Sequence, residues 1–327
     1  MYIVTGGAGF IGSAMVWALN QQGITDILVV DNLARTEKWR NLVGLSYQAY
    51  EHRDIFSERL RARRIAERID GVIHMGACSS TTETDADFLM RNNVEYSKEL
   101  CRFTLERGGR FIYASSAATY GDGSCGFTDD DSLLDTLRPL NMYGYSKHLF
   151  DLWVVEQGLL DQVAGLKFFN VFGPNEYHKE DMKSVVCKAY AQILQDGLLR
   201  LFRSHRPDYE HGEQQRDFVY VKDCVAVMWW LLEHPEVGGI FNVGTGQART
   251  WNDLARAVFA ALEHEPQIEY VDMPEMIREK YQYYTCASLD KLTARGCDVR
   301  FRSLEDGVRD YVHNYLMHGP GFLTSRS

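Results

Sequence analysis

Short apolar runs alternate with longer amphipathic stretches along the first half of the chain. The run "YIVT" at residues 2–5 is followed by a helix-like stretch at 12–23 and by a second apolar run at 27–30. Similar runs recur at residues 71–74, 110–116 and 163–172. This order of strand, helix and strand predicts an α/β fold with a parallel sheet covered by helices on both faces. Ligands of such sheets bind at the carboxyl ends of the strands, so we expect the site there.

The regular alternation fades after residue 173. Residues 184–194 have helical periodicity, whereas residues 203–216 are very polar. A strand and helix pattern returns from residue 216, and two helical stretches follow at 251–262 and 304–316. A chain of 327 residues exceeds the usual size of a single core. We therefore expect a large domain over 1–172 and about 217–246, and a smaller mixed α/β lobe over about 173–216 and 247–327.

Composition and charge exclude several classes of protein. The chain is 45% hydrophobic and 24% charged, as in globular proteins. It lacks an apolar run of the roughly 20 residues that a membrane helix needs, and its start lacks signal-peptide features, so we expect a cytoplasmic protein without membrane partners. The formal net charge of −10 disfavours nucleic-acid binding. The seven scattered cysteines form no CxxC pair, which argues against a zinc site or a disulfide framework.

A glycine-rich loop follows the first predicted strand. Gly6, Gly9 and Gly12 stand in the segment "VTGGAGFIGS", directly before a predicted helix. The first glycine allows a tight turn, the second allows the backbone to approach a diphosphate, and the third allows the helix to pack closely on the strand. The amino end of the helix then faces the negative charge. The loop predicts a Rossmann-type doubly wound domain that binds a dinucleotide.

The end of the second strand bears on the form of the cofactor. Asp31 and Asn32 stand about 20 residues after the loop, where an acid normally binds the ribose hydroxyls of NAD. However, Arg35, Lys38 and Arg53 follow nearby and could bind the 2′-phosphate of NADP. The residues by themselves leave NAD and NADP open.

A tyrosine and a lysine in "NMYGYSKHLFD" suggest the chemistry. On a helix, Tyr143 and Lys147 share one face, whereas Tyr145 points elsewhere. We expect the lysine ammonium and a positive nicotinamide ring to lower the pKa of Tyr143 from near 10 towards 7, which needs about 4 kcal/mol of differential interaction. Tyr143 would then take a proton from a substrate hydroxyl while the adjoining carbon gives up hydride. Ser116, after another predicted strand, could bind the same hydroxyl.

The segments "TGGAGFIG", "ASSAATYG" and "YGYSK" resemble the extended short-chain dehydrogenase/reductase superfamily, in the NAD-dependent epimerase/dehydratase family. More narrowly, "GACSSTTETDADF", "PLNMYGYSK" and "RDFVYVKD" are similar to the ADP-L-glycero-D-manno-heptose 6-epimerase family. The resemblance implies an isomerase that interconverts ADP-D-glycero-β-D-manno-heptose and its L-glycero epimer, for lipopolysaccharide core biosynthesis. It would oxidise C6″ to a ketone and reduce it again from the opposite face. The resemblance also implies a homo-oligomer, typically a pentamer.

The resemblance assigns further residues. It implies NADP as the cofactor, Lys38 and Arg53 as partners of the extra phosphate, and Lys179 as a second acid/base group. Its other cofactor positions are Gly6, Gly9, Phe10, Ile11, Gly12, Asp31, Asn32, Met75, Gly76, Ala77, Cys78, Ser79, Asn92 and Lys147. Its substrate positions are Ser116, Asn170, Val171, Asp181, Lys188, Phe202, Arg203, Ser204, His205, Arg216 and Tyr281. The chain departs from the family pattern at Asp181 and Lys188 and in its longer segment 203–216.

Three other functions share part of this pattern. A UDP-glucose/galactose 4-epimerase uses the same tyrosine but normally lacks an equivalent of Lys179. A nucleotide-sugar dehydratase needs an acidic pair where this chain has Ala117 and Ala118. A non-catalytic Rossmann protein that senses NADP tends to lose the tyrosine and lysine pair. We favour the 6-epimerase and keep the 4-epimerase as the alternative.

Overall fold

The computed structural model describes residues 1–278, 281–319 and 321–325, and within them most apolar runs of the sequence form strands. The strands are β1 (Tyr2–Thr5), β2 (Ile27–Asp31), β3 (Ala49–His52), β4 (Gly71–His74), β5 (Arg110–Ser116), β6 (Val163–Phe168), β7 (Asn170–Phe172), β8 (Leu199–Phe202), β9 (Gln215–Tyr220), β10 (Gly239–Val243), β11 (Ala248–Thr250) and β12 (Ile268–Val271). In this part of the chain, seven strands form a parallel sheet in the order β10-β6-β5-β4-β1-β2-β3.

Helices connect these strands. The α-helices are α1 (Phe10–Gln21), α2 (Arg53–Arg61), α3 (Ala86–Leu89), α4 (Tyr96–Leu105), α5 (Met142–Glu156), α6 (Val185–Asp196), α7 (Val221–Glu233), α8 (Trp251–Ala261), α9 (Glu275–Arg278), α10 (Asp290–Ala294) and α11 (Leu304–Tyr311). Short 3₁₀ helices lie at Glu37–Leu42, Ala117–Tyr120, Asp131–Thr136 and Tyr177–Met182, and π-helical turns lie at Met90–Glu95 and Val312–Leu316. No helix over the described ranges is both long and apolar enough to span a bilayer.

The strand order reverses between β1 and β4, which positions the ligand cleft. Strand β1 pairs with β2 on one side and with β4 on the other, and Thr5 lies opposite His74 in the second pairing. The connections that follow β1 and β4 leave the sheet in opposite directions, so a crevice opens between their carboxyl ends. The predicted doubly wound parallel sheet with helices on both faces is confirmed.

Alternating residues of the strands bury the two faces of the sheet. Val4 packs in a core cluster with Met15 of α1 and Val227 of α7. Its neighbour Ile3 faces the other side, in a cluster with Phe150 of α5. Successive side chains of a strand point to opposite faces, so a parallel sheet covered by helices must be apolar on both.

The remaining strands build a smaller region on one side. Strands β11, β9 and β7 form one sheet, and β12 pairs with β8. Helices α6, α8 and α11 contribute to the same core cluster as α1 and α7, so the two regions share buried apolar surface. The division into a domain over 1–172 with 217–246 and a lobe over 173–216 with 247–327 stays a prediction. Residues 279, 280, 320, 326 and 327 of that lobe lie outside the described residues.

Candidate active site

A cleft of about 630 Å³ opens at the carboxyl ends of β1, β2, β4 and β5. This volume lies within the roughly 300–1,000 Å³ that small-molecule and cofactor sites occupy. Every residue of the predicted cofactor and catalytic sets lines the cleft, from Gly6 in the first loop to Lys179 beyond β7. Arg35, offered as a further phosphate partner, is exposed and does not line it.

The glycine loop has the shape that a diphosphate requires. Gly6 has φ +65°, and a Cβ there would lie 2.6 Å from the backbone nitrogen of Gly76. A Cβ on Gly12 would lie 2.1 Å from the carbonyl oxygen of Gly6. Among the residues that the structure describes, no side chain caps the amino end of α1, and its first turn carries no acidic residue. The N–H groups of that turn can therefore bind an anion, so the loop fits a dinucleotide.

The carboxylate of Asp31 organises the next part of the cleft. Its Oδ2 accepts a hydrogen bond from the backbone N–H of Ala8 at 2.8 Å, which fixes the glycine loop. Its Oδ1 accepts hydrogen bonds from Asn32 N at 2.6 Å and from Lys38 Nζ at 2.7 Å. Arg53 lines the same end of the cleft, where its Nη1 donates to the side chain of Asn92 at 2.6 Å. Lys38 thus offsets the negative charge that Asp31 would otherwise present to a ribose 2′-phosphate.

Tyr143 and Lys147 lie on the inner face of α5. Asn141 caps this helix, and its Oδ1 accepts a hydrogen bond from Gly144 N at 2.8 Å. Lys147 Nζ donates to the carbonyl oxygen of Ala114, near the end of β5, at 2.7 Å. Tyr143 and Lys147 both line the cleft, whereas Tyr145 is 44% exposed and does not. The structure places these three side chains as the helical spacing in the sequence predicts.

The protonation of this pair differs from the expectation. Burial raises the pKa of Tyr143, and a hydrogen bond with Ser116 opposes the rise. Burial lowers the pKa of Lys147 to about 8, partly opposed by the carboxylate of Asp151. The predicted lowering of the Tyr143 pKa is therefore wrong for the chain's own groups. The contribution assigned to a nicotinamide ring stays a prediction.

Lys179 enters the cleft from the 3₁₀ helix at Tyr177–Met182. The backbone of Glu180 has φ 46° and ψ −119°, so the chain turns sharply directly after Lys179. Lys179 Nζ lies 5.3 Å from the ring centroid of Phe10, which follows the glycine loop. Burial lowers the pKa of Lys179, and Glu176 opposes the change. A lysine with a lowered pKa exchanges protons more readily near neutral pH, as a catalytic acid/base group must.

The predicted substrate residues fall into separate groups. Ser116 and Val171 line the cleft, and Asn170 immediately precedes Val171 in β7. The remaining positions do not line it and lie in the smaller region: Asp181, Lys188, Phe202, Arg203, Ser204, His205, Arg216 and Tyr281. Lys188 Nζ donates to the backbone oxygen of Asp181 at 2.6 Å. The guanidinium of Arg216 lies 5.1 Å from the ring centroid of Tyr281, so these two form one cationic and aromatic group.

Some residues that line the cleft were absent from the prediction. They are Thr5, Val30, Ala34, Thr36, Ser80, Phe88, Tyr96, Ala114, Ser115, Phe168, Phe169, His178 and Met182. Ala114, Ser115 and Phe168 stand at the carboxyl ends of predicted strands, so the topology rule could have found them. His178 precedes Lys179 directly in the chain and could have been found through that neighbour.

The sequence pattern that defines the NAD dependent epimerase/dehydratase family matches residues 2–244. The chain belongs to this family. It is 64% identical over 323 residues to an ADP-L-glycero-D-manno-heptose-6-epimerase of Nitratidesulfovibrio vulgaris strain DP4, covering 99% of this chain and 100% of the relative. The expected membership of the epimerase/dehydratase family is confirmed.

Solved structures of the epimerase/dehydratase fold are also similar. The crystal structure of the Helicobacter pylori ADP-L-glycero-D-manno-heptose-6-epimerase has a TM-score of 0.82 at 27% identity, covering 97% of this chain and 96% of that one. The UDP-glucose 4-epimerase of Thermus thermophilus, in complex with NAD, has a TM-score of 0.73 at 26% identity, covering 95% and 97%. The fold is thus shared by epimerases of more than one sugar, whereas the high identity over the full chain is to a heptose epimerase.

Proposed function

We propose that this isomerase is an ADP-L-glycero-D-manno-heptose 6-epimerase. It interconverts ADP-D-glycero-β-D-manno-heptose and ADP-L-glycero-β-D-manno-heptose by oxidation of C6″ to a ketone and reduction from the opposite face. The observation that carries the proposal is that Tyr143 and Lys179, from distant segments, line one cleft beside the glycine loop. Identity of 64% over 323 residues to a heptose 6-epimerase supports the choice of sugar.

NADP is the proposed cofactor, and NAD is the alternative. When bound, the dinucleotide accepts a hydride and returns it. The glycine loop and the amino end of α1 would hold its diphosphate, and the neutralised Asp31 with Lys38 and Arg53 would favour a 2′-phosphate. Lys147, hydrogen-bonded to the end of β5, would position the nicotinamide ribose beside Tyr143.

Tyr143 is the proposed acid/base group for one face of the sugar. Its hydroxyl interacts with Ser116, which would also bind the substrate hydroxyl on C6″. Removal of the hydroxyl proton by Tyr143 leaves the oxygen lone pair to form the ketone as hydride departs. Because burial holds the phenol neutral, proton removal depends on positive charge that arrives with the oxidised cofactor.

Lys179 is the proposed acid/base group for the other face. After the ketone turns in the site, hydride returns to the opposite face of C6″, and a proton must reach the new alkoxide from that side. Burial lowers the pKa of Lys179, which lies on the segment that follows β7, whereas Tyr143 lies on α5. A second proton donor is needed because Tyr143 faces only one side of the turning carbon.

The nucleotide end of the substrate would lie against the smaller region. We propose that Arg216 and Tyr281 contact the diphosphate and that Asn170, Asp181, Lys188 and residues 202–205 contact the sugar and nucleotide. Arg216 is 7% exposed, and its guanidinium now donates to the carbonyl oxygens of Gln215 and Gln282. Arginine binds diphosphates through paired donors, so substrate would compete with those carbonyls. We also expect a homo-oligomer, a pentamer by resemblance, which sedimentation would test.

The choice of substrate is tested by incubating the purified protein separately with ADP-D-glycero-β-D-manno-heptose, UDP-galactose and GDP-mannose. Product configuration is followed by NMR. Epimerisation at C6″ of the heptose alone is the expected result. Epimerisation of UDP-galactose without reaction of the heptose would establish the alternative 4-epimerase. The Tyr143→Phe variant serves as the control for contaminating activity.

A further inference from the structure

Glu176 immediately precedes the 3₁₀ helix that carries Lys179, and the mechanism above gives it no role. It is 1% exposed, although its side chain is a carboxylic acid. Both side-chain oxygens accept hydrogen bonds: Oε1 from Gly173 N at 3.3 Å and from Ser184 Oγ at 2.7 Å, and Oε2 from Ser184 N. Donors directed at both oxygens favour the ionised form. Glu176 thus places a negative charge at a fixed point inside the protein.

These hydrogen bonds close the segment on both sides of Lys179. Gly173 directly follows β7, and Ser184 caps the amino end of α6. The carboxylate of Glu176 therefore connects the end of a strand to the start of a helix, with the 3₁₀ helix at Tyr177–Met182 between them. The position of the segment depends on this one buried side chain at both of its ends.

Asn175 holds the same segment against α1. It is fully buried, and its Nδ2 donates to Ser13 Oγ of α1 at 2.9 Å. The first residue of that helix is Phe10, whose ring centroid lies 5.3 Å from Lys179 Nζ. The residue directly before Glu176 is thus fixed to the helix against which the lysine lies.

The backbone places Glu176 and Lys179 on the same side of the segment. Lys179 N donates to Glu176 O at 3.0 Å, which is the bond between residues three apart that defines a 3₁₀ turn. Side chains three apart on such a turn eclipse each other. Burial lowers the pKa of Lys179, and the charge of Glu176 opposes that change. Burial raises the pKa of Glu176, which its hydrogen bonds and the charge of Lys179 oppose.

Other titratable groups beside this pair are neutral near pH 7. Burial lowers the pKa of His178 to about 4 and raises that of Cys187 to about 11. It also raises the pKa values of Tyr177 and Tyr311 above their ordinary values. Changes in the charge of these four groups therefore do not obscure the effect of Glu176 around neutral pH.

We propose that Glu176 is a positioning residue for Lys179, which keeps the lysine segment closed and supplies the buried negative charge that keeps Lys179 a proton donor in the cleft. The proposal rests on the role of Lys179 in the proposed function. A desolvated amine gives up its proton too readily to wait for an alkoxide, and a nearby carboxylate counteracts that loss. Because the hydrogen bonds of the carboxylate come from Gly173 and Ser184, it acts on Lys179 through its charge and does not use up the ammonium protons.

The titration of Lys179 in protein freed of nucleotide tests this proposal. NMR of protein labelled with ¹³C at the lysine Cε gives the midpoint, and the variant Lys179→Met identifies the signal. Glu176→Gln keeps the size of the side chain but removes its charge, so the Lys179 midpoint should fall below that of the wild type. Glu176→Asp, which keeps the charge, should have a midpoint between the two. The matched control Glu180→Gln removes an exposed carboxylate adjacent to Lys179, and its midpoint should equal that of the wild type.

An unchanged midpoint in Glu176→Gln, or an equal fall in Glu180→Gln, would overturn the proposal. A rise in Glu176→Gln towards the ordinary 10.5 would also overturn it, because the carboxylate would then serve only to keep the lysine buried. The ¹³C signal of the Glu176 carboxyl carbon in the wild type needs no variant to fold. It should show the ionised form near pH 7, and a protonated Glu176 would contradict the proposal.

None of these measurements uses the epimerase reaction. An unmoved Lys179 midpoint in a protein that epimerises ADP-heptose would refute this inference and leave the proposed function intact. A lowered midpoint in a protein without epimerase activity would do the reverse.

Discussion

Replacement of Lys147 by methionine should reveal the energetic cost of keeping a charged amine in the active site. The Lys147 side chain is 5% exposed, and its Nζ donates to Ala114 O at 2.7 Å. Burial lowers its pKa from 10.5 to about 8, even though the carboxylate of Asp151 favours the ammonium form. Methionine has a similar length and no charge, so the variant removes the titration while filling most of the space.

The sign and size of the effect follow from proton linkage. Between pH 8 and 10.5 the unfolded chain binds more protons at Lys147 than the folded chain, so this residue makes stability rise with pH in that window. Below pH 8 both states are protonated, and the full penalty of about 3 kcal/mol is present. The free energy of unfolding of the wild type minus that of Lys147→Met should therefore rise by about 2 kcal/mol between about pH 7 and about pH 9.5.

Urea unfolding of both proteins at several pH values measures this difference. The contributions of groups that both proteins share cancel in this difference. The neighbouring rings do not titrate between about pH 7 and about pH 9.5, because burial lowers the pKa of His74 to about 3 and raises the pKa of Tyr143 above its ordinary value. A second neutral variant, Lys147→Gln, should give the same pH dependence whatever its absolute stability. A difference that stays constant over this range would refute a buried, perturbed Lys147.

Three further predictions, each with its own substitutions, concern Tyr143, Lys179 and the buried Asp151. Tyr143→Phe should lose at least about a hundredfold in turnover yet bind NADP⁺ normally in calorimetry. The control variant Tyr145→Phe, changed at an exposed ring, should keep most activity. Equal losses of turnover in the two variants would contradict the assignment of Tyr143. Lys179→Met should stop conversion of ADP-heptose but still reduce a C6″-oxidised analogue at one face, as seen by NMR; full turnover would remove Lys179 from the mechanism. Asp151→Asn should destabilise the fold by about 3–5 kcal/mol in urea unfolding, because Lys167, 3.3 Å away, would lose its buried ion-pair partner. Adding Lys167→Met should restore part of that loss, and a double variant no more stable than the single one would show that the ion pair is not the cause.

Local spacing predicts those parts of the site that lie within one turn or one helix. The glycine loop needs only a strand, three glycines and a helix in succession, and the face shared by Tyr143 and Lys147 needs only helical periodicity. Both predictions hold in the structure. Parallel pairing then brings the end of β4 against the glycine loop, where Gly76 approaches Gly6, as a doubly wound sheet requires.

Long-range contacts explain what the sequence could not provide. The chain adopts a positive φ at Glu180, directly after Lys179, which no spacing rule predicts for a glutamate. The amide of Asn41, beside His178, is oriented by backbone atoms of two other segments. The pKa of Tyr143 differs from the expectation because burial, which the sequence does not quantify, raises it more than the hydrogen bond with Ser116 lowers it.

The proposed function depends above all on the transfer of one hydride away from C6″ and back again, and isotope retention tests that step. ADP-D-glycero-β-D-manno-heptose carrying deuterium at C6″ is converted by the purified enzyme in ordinary water, and the product is examined by NMR and mass spectrometry. We predict inverted configuration at C6″ with the deuterium retained, because the same hydride returns to the sugar. Inversion with replacement of the deuterium by solvent hydrogen would show that the proposed mechanism is wrong.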